Sequence, residues 1–479
     1  MVDKNTQVAV IGAGPGGYAA AFLAADMGLT VTLIDPAENP GGVCLYRGCI
    51  PSKALLHVAR LIHEAADADA WGLSFGKPKI DIDRMRQWKM NIVNGLTDGL
   101  GRLVVQRKIT HIRSIAMFSD DRTLSLTDVD GKKSSLGFEH AILATGSRSS
   151  EIAMFPSDGD RIWNSKKALD LESVPTTLLV VGGGYIGLEL GSVYAALGSE
   201  VTVVEMLPHL LAGADRDLVR FLSKTLADRF KAILLNTTVA AVKIQKNGVK
   251  VTFQGQDEKP RTQLFQRVLV AVGRRPNTAG LALEKAGVSL DENGFVRTDN
   301  RCQTTAATIF AIGDVAGQPM LAHKAAYEAR IAVENIAGKN VIADPAAIPA
   351  VVFTDPEVAW AGLTEGTAKA NGLNVAVTRF PWTASGRAAT LGRSDGLTKL
   401  IIDPDTERLL GVGMVGPGAG ELIAEATLAL EMGANVTDVG LTIHPHPTLS
   451  ETIKEAADIF HGTATHYHRP RRIRAKPEH

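Results

Sequence analysis

The 479-residue sequence has only three cysteines, few aromatic residues (5%) and no excess of either charge, because 51 Lys and Arg balance 51 Asp and Glu. Three cysteines are too few for the disulfide framework of a secreted module. A balanced charge lacks the strong basic bias of a nucleic-acid binder, and 45% hydrophobic with 21% charged residues is not the composition of a disordered chain. Long apolar runs are missing too. The best membrane candidate, Leu178 to Leu197, is broken by Gly182, Gly183, Gly184, Gly187, Glu189 and Gly191, so it falls short of the ~20 predominantly apolar residues that a spanning helix needs. At the N-terminus, Met1 to Thr6 lead straight into Val8-Ala9-Val10-Ile11, which leaves no room for a signal or transit peptide and implies a cytoplasmic protein. What the chain has in quantity is glycine, 47 residues. Its length at roughly 150 residues per domain implies about three domains.

The glycines mark an internal repeat. Val8-Ala9-Val10-Ile11 precedes Gly12-Ala13-Gly14-Pro15-Gly16-Gly17, and Leu178-Leu179-Val180-Val181 precedes Gly182-Gly183-Gly184-Tyr185-Ile186-Gly187. Each copy reads as a strand, a G-x-G-x-x-G turn and a helix, followed by a second strand ending in an acid, Asp35 or Glu205. That acid lies 23 residues after the first glycine both times (35 − 12 and 205 − 182), so the copies superpose at an offset of 170 (182 − 12). In such a turn the first glycine bends the chain, the second lets a pyrophosphate approach the helix N-terminus, and the third allows close helix packing. The acid accepts from ribose hydroxyls. Two dinucleotide sites are therefore expected. Further strands end in glycine turns at Ala141 to Gly146, Val268 to Gly273 and Ile309 to Gly313, the first two closing the half-domains and the third returning the chain to the first. From about Ile348 the pattern changes to mixed strands and helices, which implies a third domain starting near residue 347.

Two of the cysteines form Cys44-Leu45-Tyr46-Arg47-Gly48-Cys49, directly after Gly41-Gly42 and before Ile50-Pro51-Ser52-Lys53. Two thiols at this spacing meet if the chain curls, and a helix starting here would favour the thiolate. By spacing alone they are equally two reduced core cysteines. A zinc site lacks the remaining ligands. Lys53 and Glu189 are each the lone charge of an apolar stretch, so they are expected either to pair with each other or to face solvent. Among the twelve histidines, His446 lies between Pro445 and Pro447 with Glu451 five residues on. A histidine oriented by a carboxylate can take a proton from a thiol. Thr448-x-x-Glu451 also fits a helix capping box, which would explain the acid without catalysis.

Gly41-Gly42-Val43-Cys44 with Gly48-Cys49-Ile50-Pro51-Ser52-Lys53-Ala54-Leu55-Leu56 resembles the redox-active disulfide of the pyridine nucleotide–disulfide oxidoreductases, most closely the members that oxidise dihydrolipoamide. The resemblance extends through both dinucleotide units, Gly313-Asp314 and His446-Pro447-Thr448-Leu449-Ser450-Glu451. Tyr46-Arg47 stand where many members have Asn-Val. The resemblance implies an α/β fold with two Rossmann-like dinucleotide-binding domains, the NAD domain inserted in the FAD domain, and a C-terminal α+β dimerisation domain. FAD binding would fall to residues 1–149 and 279–346, NAD binding to 150–278 and dimerisation to 347–462, with 463–479 a basic tail. Implied FAD contacts are Gly12, Gly14, Gly17, Asp35, Lys53, Ala116, Gly146, Asp314 and Ala322. Those for NAD are Gly182, Gly184, Tyr185, Gly187, Glu189, Glu205, Val239 and Gly273.

The resemblance further implies that a substrate dithiol attacks Cys44 with His446 as base, that Glu451 orients His446, and that Cys49 leaves as a thiolate against the flavin, which then reduces NAD+. Lys53 and Glu189 would pair beside the flavin, Tyr185 would cover it, and His446 would face the disulfide of the other subunit of a homodimer. Partners would be a lipoyl-bearing acyltransferase or a glycine cleavage H protein. Glu205, with no arginine before Arg216, favours NAD over NADP. Members that reduce glutathione are disfavoured by Glu205 and Leu449, and those that reduce mercuric ion by the lack of any cysteine after Cys302. A chain acting chiefly as a docking subunit is the alternative of another class. Arg469, Arg471, Arg472, Arg474 and Lys476 follow His466-Tyr467-His468 and read as a solvated tail, or as a docking segment for an acidic partner.

Overall fold

The computed structural model describes residues 4–156, 160–255 and 259–468, so of the tail assigned to 463–479 the residues from Arg469 on lie outside the described residues, while 463–468 lie within them. The chain divides into two compact units. One comprises Met1–Pro175, Val242–Lys250 and Leu264–Asp344, and the other Thr176–Ala241, Val251–Gln263 and Pro345–His479.

The first unit is built on a seven-stranded sheet. Lys4–Ile11 lies centrally and pairs in parallel with Val31–Ile34 on one side and with the long strand Lys133–Leu143 on the other. The far edge of that long strand is shared. Its start pairs antiparallel with Thr123–Asp128, and its end pairs in parallel with Ile309–Ala311. The chain thus returns to this sheet after the intervening residues, as the third strand-to-glycine motif implied. Strands buried on both faces read as unbroken apolar runs, and Val8, Ala9 and Val10 are fully buried, as are Ala141, Ile142 and Leu143. The helices Pro15–Asp26 and Ala322–Ile336 pack against each other on one face. Gly16 lets them come close, since a Cβ there would fall 3.1 Å from that of Ala325.

The second unit contains the parallel strands Thr177–Val181, Glu200–Val204 and Ala232–Leu234, with the second one central. It also holds a five-stranded antiparallel sheet in the order Ala350–Val352, Glu357–Gly362, Leu409–Gly416, Leu397–Ile402, Ala376–Pro381. The helices Ala419–Glu431 and Glu451–His461 lie on this sheet, where Trp382, Met414, Ile423 and Ala456 share one core. No helix of the described residues is long and apolar enough to cross a membrane.

Candidate active site

The two glycine turns are built alike. Gly12 and Gly182 hold φ of +97° and +107°, a region open to glycine at little cost. The Gly12 N–H donates to Ile34 O at 2.8 Å, and the Gly182 N–H to Val204 O at 2.9 Å. Asp35 accepts from the N–H groups of Ala13 and Ala37, and Glu205 from those of Gly183 and Leu207. The Gly41 N–H donates to Ala13 O, and the Leu211 N–H to Gly183 O. Every pair keeps the offset of 170 (183 − 13, 205 − 35, 207 − 37, 211 − 41). The second glycine of each turn faces space: a Cβ on Gly14 meets nothing nearer than Gly42 Cα at 3.9 Å, and one on Gly184 meets nothing within 4 Å. By contrast a Cβ on Gly17 would fall 1.8 Å from Gly12 O. That closed third position and open second position are what a pyrophosphate at a helix N-terminus requires.

The cysteine loop leans on the first turn, since a Cβ on Gly42 would come 2.5 Å from Gly14 Cα. Cys44 sits in the short helix Gly42–Arg47, and Cys49 opens the 19-residue helix Cys49–Asp67. The two are unbonded in this structure, Cys44 half-buried and Cys49 exposed, so they are not a pair of core cysteines. Their side chains are hydrogen-bonded neighbours. That bond, burial and the charge of Cys49 push the Cys44 thiol above its ordinary range, with Lys53 opposing. Burial, then the charges of both cysteines, also raises Tyr18 of the first dinucleotide helix. The helix N-terminus at Cys49 favours negative charge on that sulfur.

His446 and Glu451 also come together. His446 Nδ1 lies 2.8 Å from Glu451 Oε1, while Glu451 Oε2 accepts the Thr448 N–H at 2.8 Å. One carboxylate therefore does both jobs anticipated from the sequence, capping the turn and orienting the imidazole. Burial alone would raise Glu451, but the Thr448 N–H, the His446 hydrogen bond and the charges of His446 and His466 hold it below the usual carboxylate range. His446 itself remains open to solvent.

The family model for pyridine nucleotide-disulphide oxidoreductases matches residues 6–329, and the model of that family's dimerisation domain matches residues 348–457. The chain belongs to this family. It is 47% identical over 463 residues to a dihydrolipoyl dehydrogenase of Vibrio cholerae, with 97% of each chain covered. It is 46% identical over 465 residues to one of Thermus scotoductus, covering 97% of this chain and 99% of that one. Among solved structures, LpdA from Mycobacterium tuberculosis matches with a TM-score of 0.87 at 28% identity, covering 95% of this chain and 99% of that chain. The HOCl-induced flavoprotein disulfide reductase RclA from Escherichia coli matches with a TM-score of 0.83 at 28% identity over the same shares.

The remaining family positions fall as follows. Asp314 accepts a hydrogen bond from the Ser147 hydroxyl, which also accepts from Arg274 Nε at 2.7 Å. Gly146 and Gly273 hold φ of +69° and +127°. The Ala116 side chain is buried in the core, Val239 is half-buried in its strand, and Ala322 opens its helix. Tyr185 is the exposed first residue of its helix and Gly187 lies buried two residues on. Glu189 is 3% exposed and accepts the Phe353 N–H at 3.0 Å, which removes the alternative in which it faces solvent. Lys53 lies half-buried in the helix that Cys49 opens. Arg216, the nearest arginine after Glu205, donates to the carbonyls of Leu210, Leu211 and Ala214, so its donors are committed within its own loop.

Two groupings had no sequence signal. His444, whose side chain is 4% exposed, has Nε2 2.6 Å from Glu425 Oε1 and Nδ1 2.9 Å from Thr442 O. It anchors the segment that carries His446 to the helix Ala419–Glu431. Among the described residues, the carboxylates able to gather round a metal are Asp215, Asp217 and Glu365. The Lys399 ammonium stands among them, 2.7 Å from Asp215 and 2.9 Å from Asp217.

Proposed function

We propose that the chain is a dihydrolipoyl dehydrogenase that oxidises protein-bound dihydrolipoamide and passes the electrons to NAD+ through FAD. The observation that carries this is the Cys44–Cys49 pair, hydrogen-bonded across two helices beside the first glycine turn. Sequence identity above 45% to enzymes of that name supports it.

FAD would lie on the turn of Gly12, Gly14 and Gly17 with Asp35 at its ribose, and Lys53, Ala116, Gly146, Asp314 and Ala322 along its length. NAD would lie on Gly182, Gly184 and Gly187 with Glu205 at its ribose, and Tyr185, Glu189, Val239 and Gly273 about it. When bound, FAD supplies the two-electron link between the dithiol and the nicotinamide. The protein's own part is thiol and proton chemistry. His446, held by Glu451, takes the proton of one substrate thiol, and the resulting thiolate attacks Cys44 of the oxidised pair. The Cys44–Cys49 bond breaks and Cys49 leaves as a thiolate at the positive end of its helix. The second substrate thiol then displaces Cys44 as a thiol, closing the substrate disulfide. The net change is dihydrolipoamide plus NAD+ to lipoamide, NADH and a proton. The high proton affinity of Cys44 suits it as the thiol that ends protonated. Lys53 and Glu189 would pair beside the flavin, and Tyr185 would cover it.

The base is supplied across a homodimer, from each chain to its partner's disulfide. Leu428 and Met432 are exposed one turn apart, and Leu441 and Ile443 are exposed nearby in sequence, Ile443 at 94%, and dimerisation would cover them. Divided by duty, residues 1–149 with 279–346 bind FAD, 150–278 bind NAD and 347–462 form the dimer. The enzyme works in the cytoplasm on a lipoyl-bearing acyltransferase or a glycine cleavage H protein. Purified FAD-loaded protein should reduce NAD+ with dihydrolipoamide as donor, and the Cys49→Ser variant should not. Turnover by Cys49→Ser at the wild-type rate would refute the disulfide relay.

A further inference from the structure

The acid–base pair has a second histidine–carboxylate pair behind it. The helix Glu451–His461 carries Glu451 and, one turn on, Glu455, and residues four apart share a helix face. The Glu455 side chain is 8% exposed. Gly462, at φ +74°, ends the helix, and the Thr463 N–H bonds back to Asp458 O at 2.9 Å. The chain then runs back along the helix, placing His466 Nδ1 2.7 Å from Glu455 Oε1 and the His466 N–H 3.3 Å from Glu455 Oε2. A buried carboxylate lacking a counter-charge is strongly unfavourable, and here both of its oxygens are met by one residue.

Resting on the function proposed above, we propose that His466 is a positioning residue for the His446–Glu451 pair: clasped to Glu455, it screens the second carboxylate one turn behind Glu451 and thereby sets the proton affinity of His446. The charge of His466 already reaches Glu451, as one of the influences that hold that carboxyl low against burial, after the Thr448 N–H and His446. The other charged groups on this helix and on the elements packed against it are engaged elsewhere. Lys454 pairs with Asp458, and His461 with Glu407. Asp438, on the neighbouring helix Val436–Leu441, accepts the Asn435 N–H. Arg379 and Lys399, on the two strands beneath, are bound to Asp217 and Glu365.

The signs follow from charge alone. His466→Gln leaves Glu455 negative beside the pair, which favours protonated His446. The acid limb of the pH–rate profile for dihydrolipoamide oxidation should then move up by about half a pH unit. Glu455→Gln removes that carboxylate and should move the limb down, by no more than the same amount. The double variant should return it to the wild-type position. A merely structural role would lower kcat in all three variants without moving the limb in opposite directions. The same comparison needs no turnover when the His446 ring is followed by NMR titration of the oxidised protein, its signal identified by His446→Gln. Opposite shifts of that midpoint in a protein unable to oxidise dihydrolipoamide would uphold the clasp and overturn the proposed function. An active enzyme in which neither single variant moves limb or midpoint overturns the clasp.

Discussion

At the scale of single residues, one carboxylate closes each glycine turn by taking two backbone N–H groups, and in the function proposed its remaining lone pairs would meet a ribose. Glu205 holds the Gly183 and Leu207 N–H groups at 2.6 and 2.8 Å, so Glu205→Ala removes both the loop's lock and the charge that repels a 2′-phosphate. Hydrogen bonds to a charged group contribute about 1.5–3 kcal/mol. The ratio of kcat/KM for NAD+ over NADP+ should therefore fall by roughly one to two orders of magnitude, and an unchanged ratio would count against the assignment. Cys302 is the opposite kind of residue. Burial pushes its thiol up to about 12, so its reactive thiolate fraction grows about tenfold per pH unit and stays below roughly one in a thousand at pH 8. Alkylation of the reduced native protein at that pH should mark Cys49 and spare Cys302, whereas denatured protein should be marked at both. Asp35, Glu205, Cys44, Cys49, His446 and Glu451 were all legible because each lies in a short motif whose chemistry fixes its neighbours. His444 was not, because its partner Glu425 lies 19 residues away on another helix.

At the scale of elements, the repeat offset of 170 survives down to individual hydrogen bonds, because both turns must solve the same packing problem with glycine. The return of Ile309–Ala311 to the first sheet was likewise readable from an apolar run that ends in glycine. The ionic link among the helices Arg216–Arg229 and Glu365–Ala370 and the strand Leu397–Ile402 was not. Its members are ordinary surface letters in the sequence, and only the fold brings Lys399, 1% exposed, to Asp215, Asp217 and Glu365. Lys399→Met takes the buried ammonium from three carboxylates, of which Arg379 still pairs with Asp217 and Glu365, and should cost about 3 kcal/mol in urea unfolding. Burial raises both Asp217 and Asp355, but Arg379 and Lys399 outweigh it for Asp217, and Arg393 and Arg229 for Asp355, so both lie below the usual carboxylate range. A carboxyl held lower in the folded than in the unfolded chain stabilises the fold above its unfolded value of about 4, and that contribution is lost as pH falls through the folded value. The urea midpoint should therefore drop as the pH is taken below ~4, and less steeply in Asp355→Asn. Equal slopes for the two proteins would contradict this account of acid sensitivity.

At the scale of the whole molecule, the function proposed has His446 of one chain serve the disulfide of another, and on that proposal activity should follow assembly. Ile443→Asp places a charge on the most exposed apolar side chain of the set, Leu428, Met432, Leu441 and Ile443. It should give a monomer by light scattering with dihydrolipoamide oxidation reduced at least a hundredfold, while oxidation of NADH by an artificial electron acceptor, which needs no base from a partner, persists. Loss of both activities in a folded monomer would contradict the division of labour. Anaerobic rapid mixing of the yellow protein with dihydrolipoamide tests the proposed relay from dithiol through Cys44 and Cys49 to FAD and NAD+. The account predicts that the flavin band bleaches, recovers on NAD+ with NADH formed, and in Cys44→Ser responds to NADH but not to dihydrolipoamide. A wild-type flavin that stays oxidised with dihydrolipoamide while NADH bleaches it would leave the fold and cofactors standing and contradict the substrate.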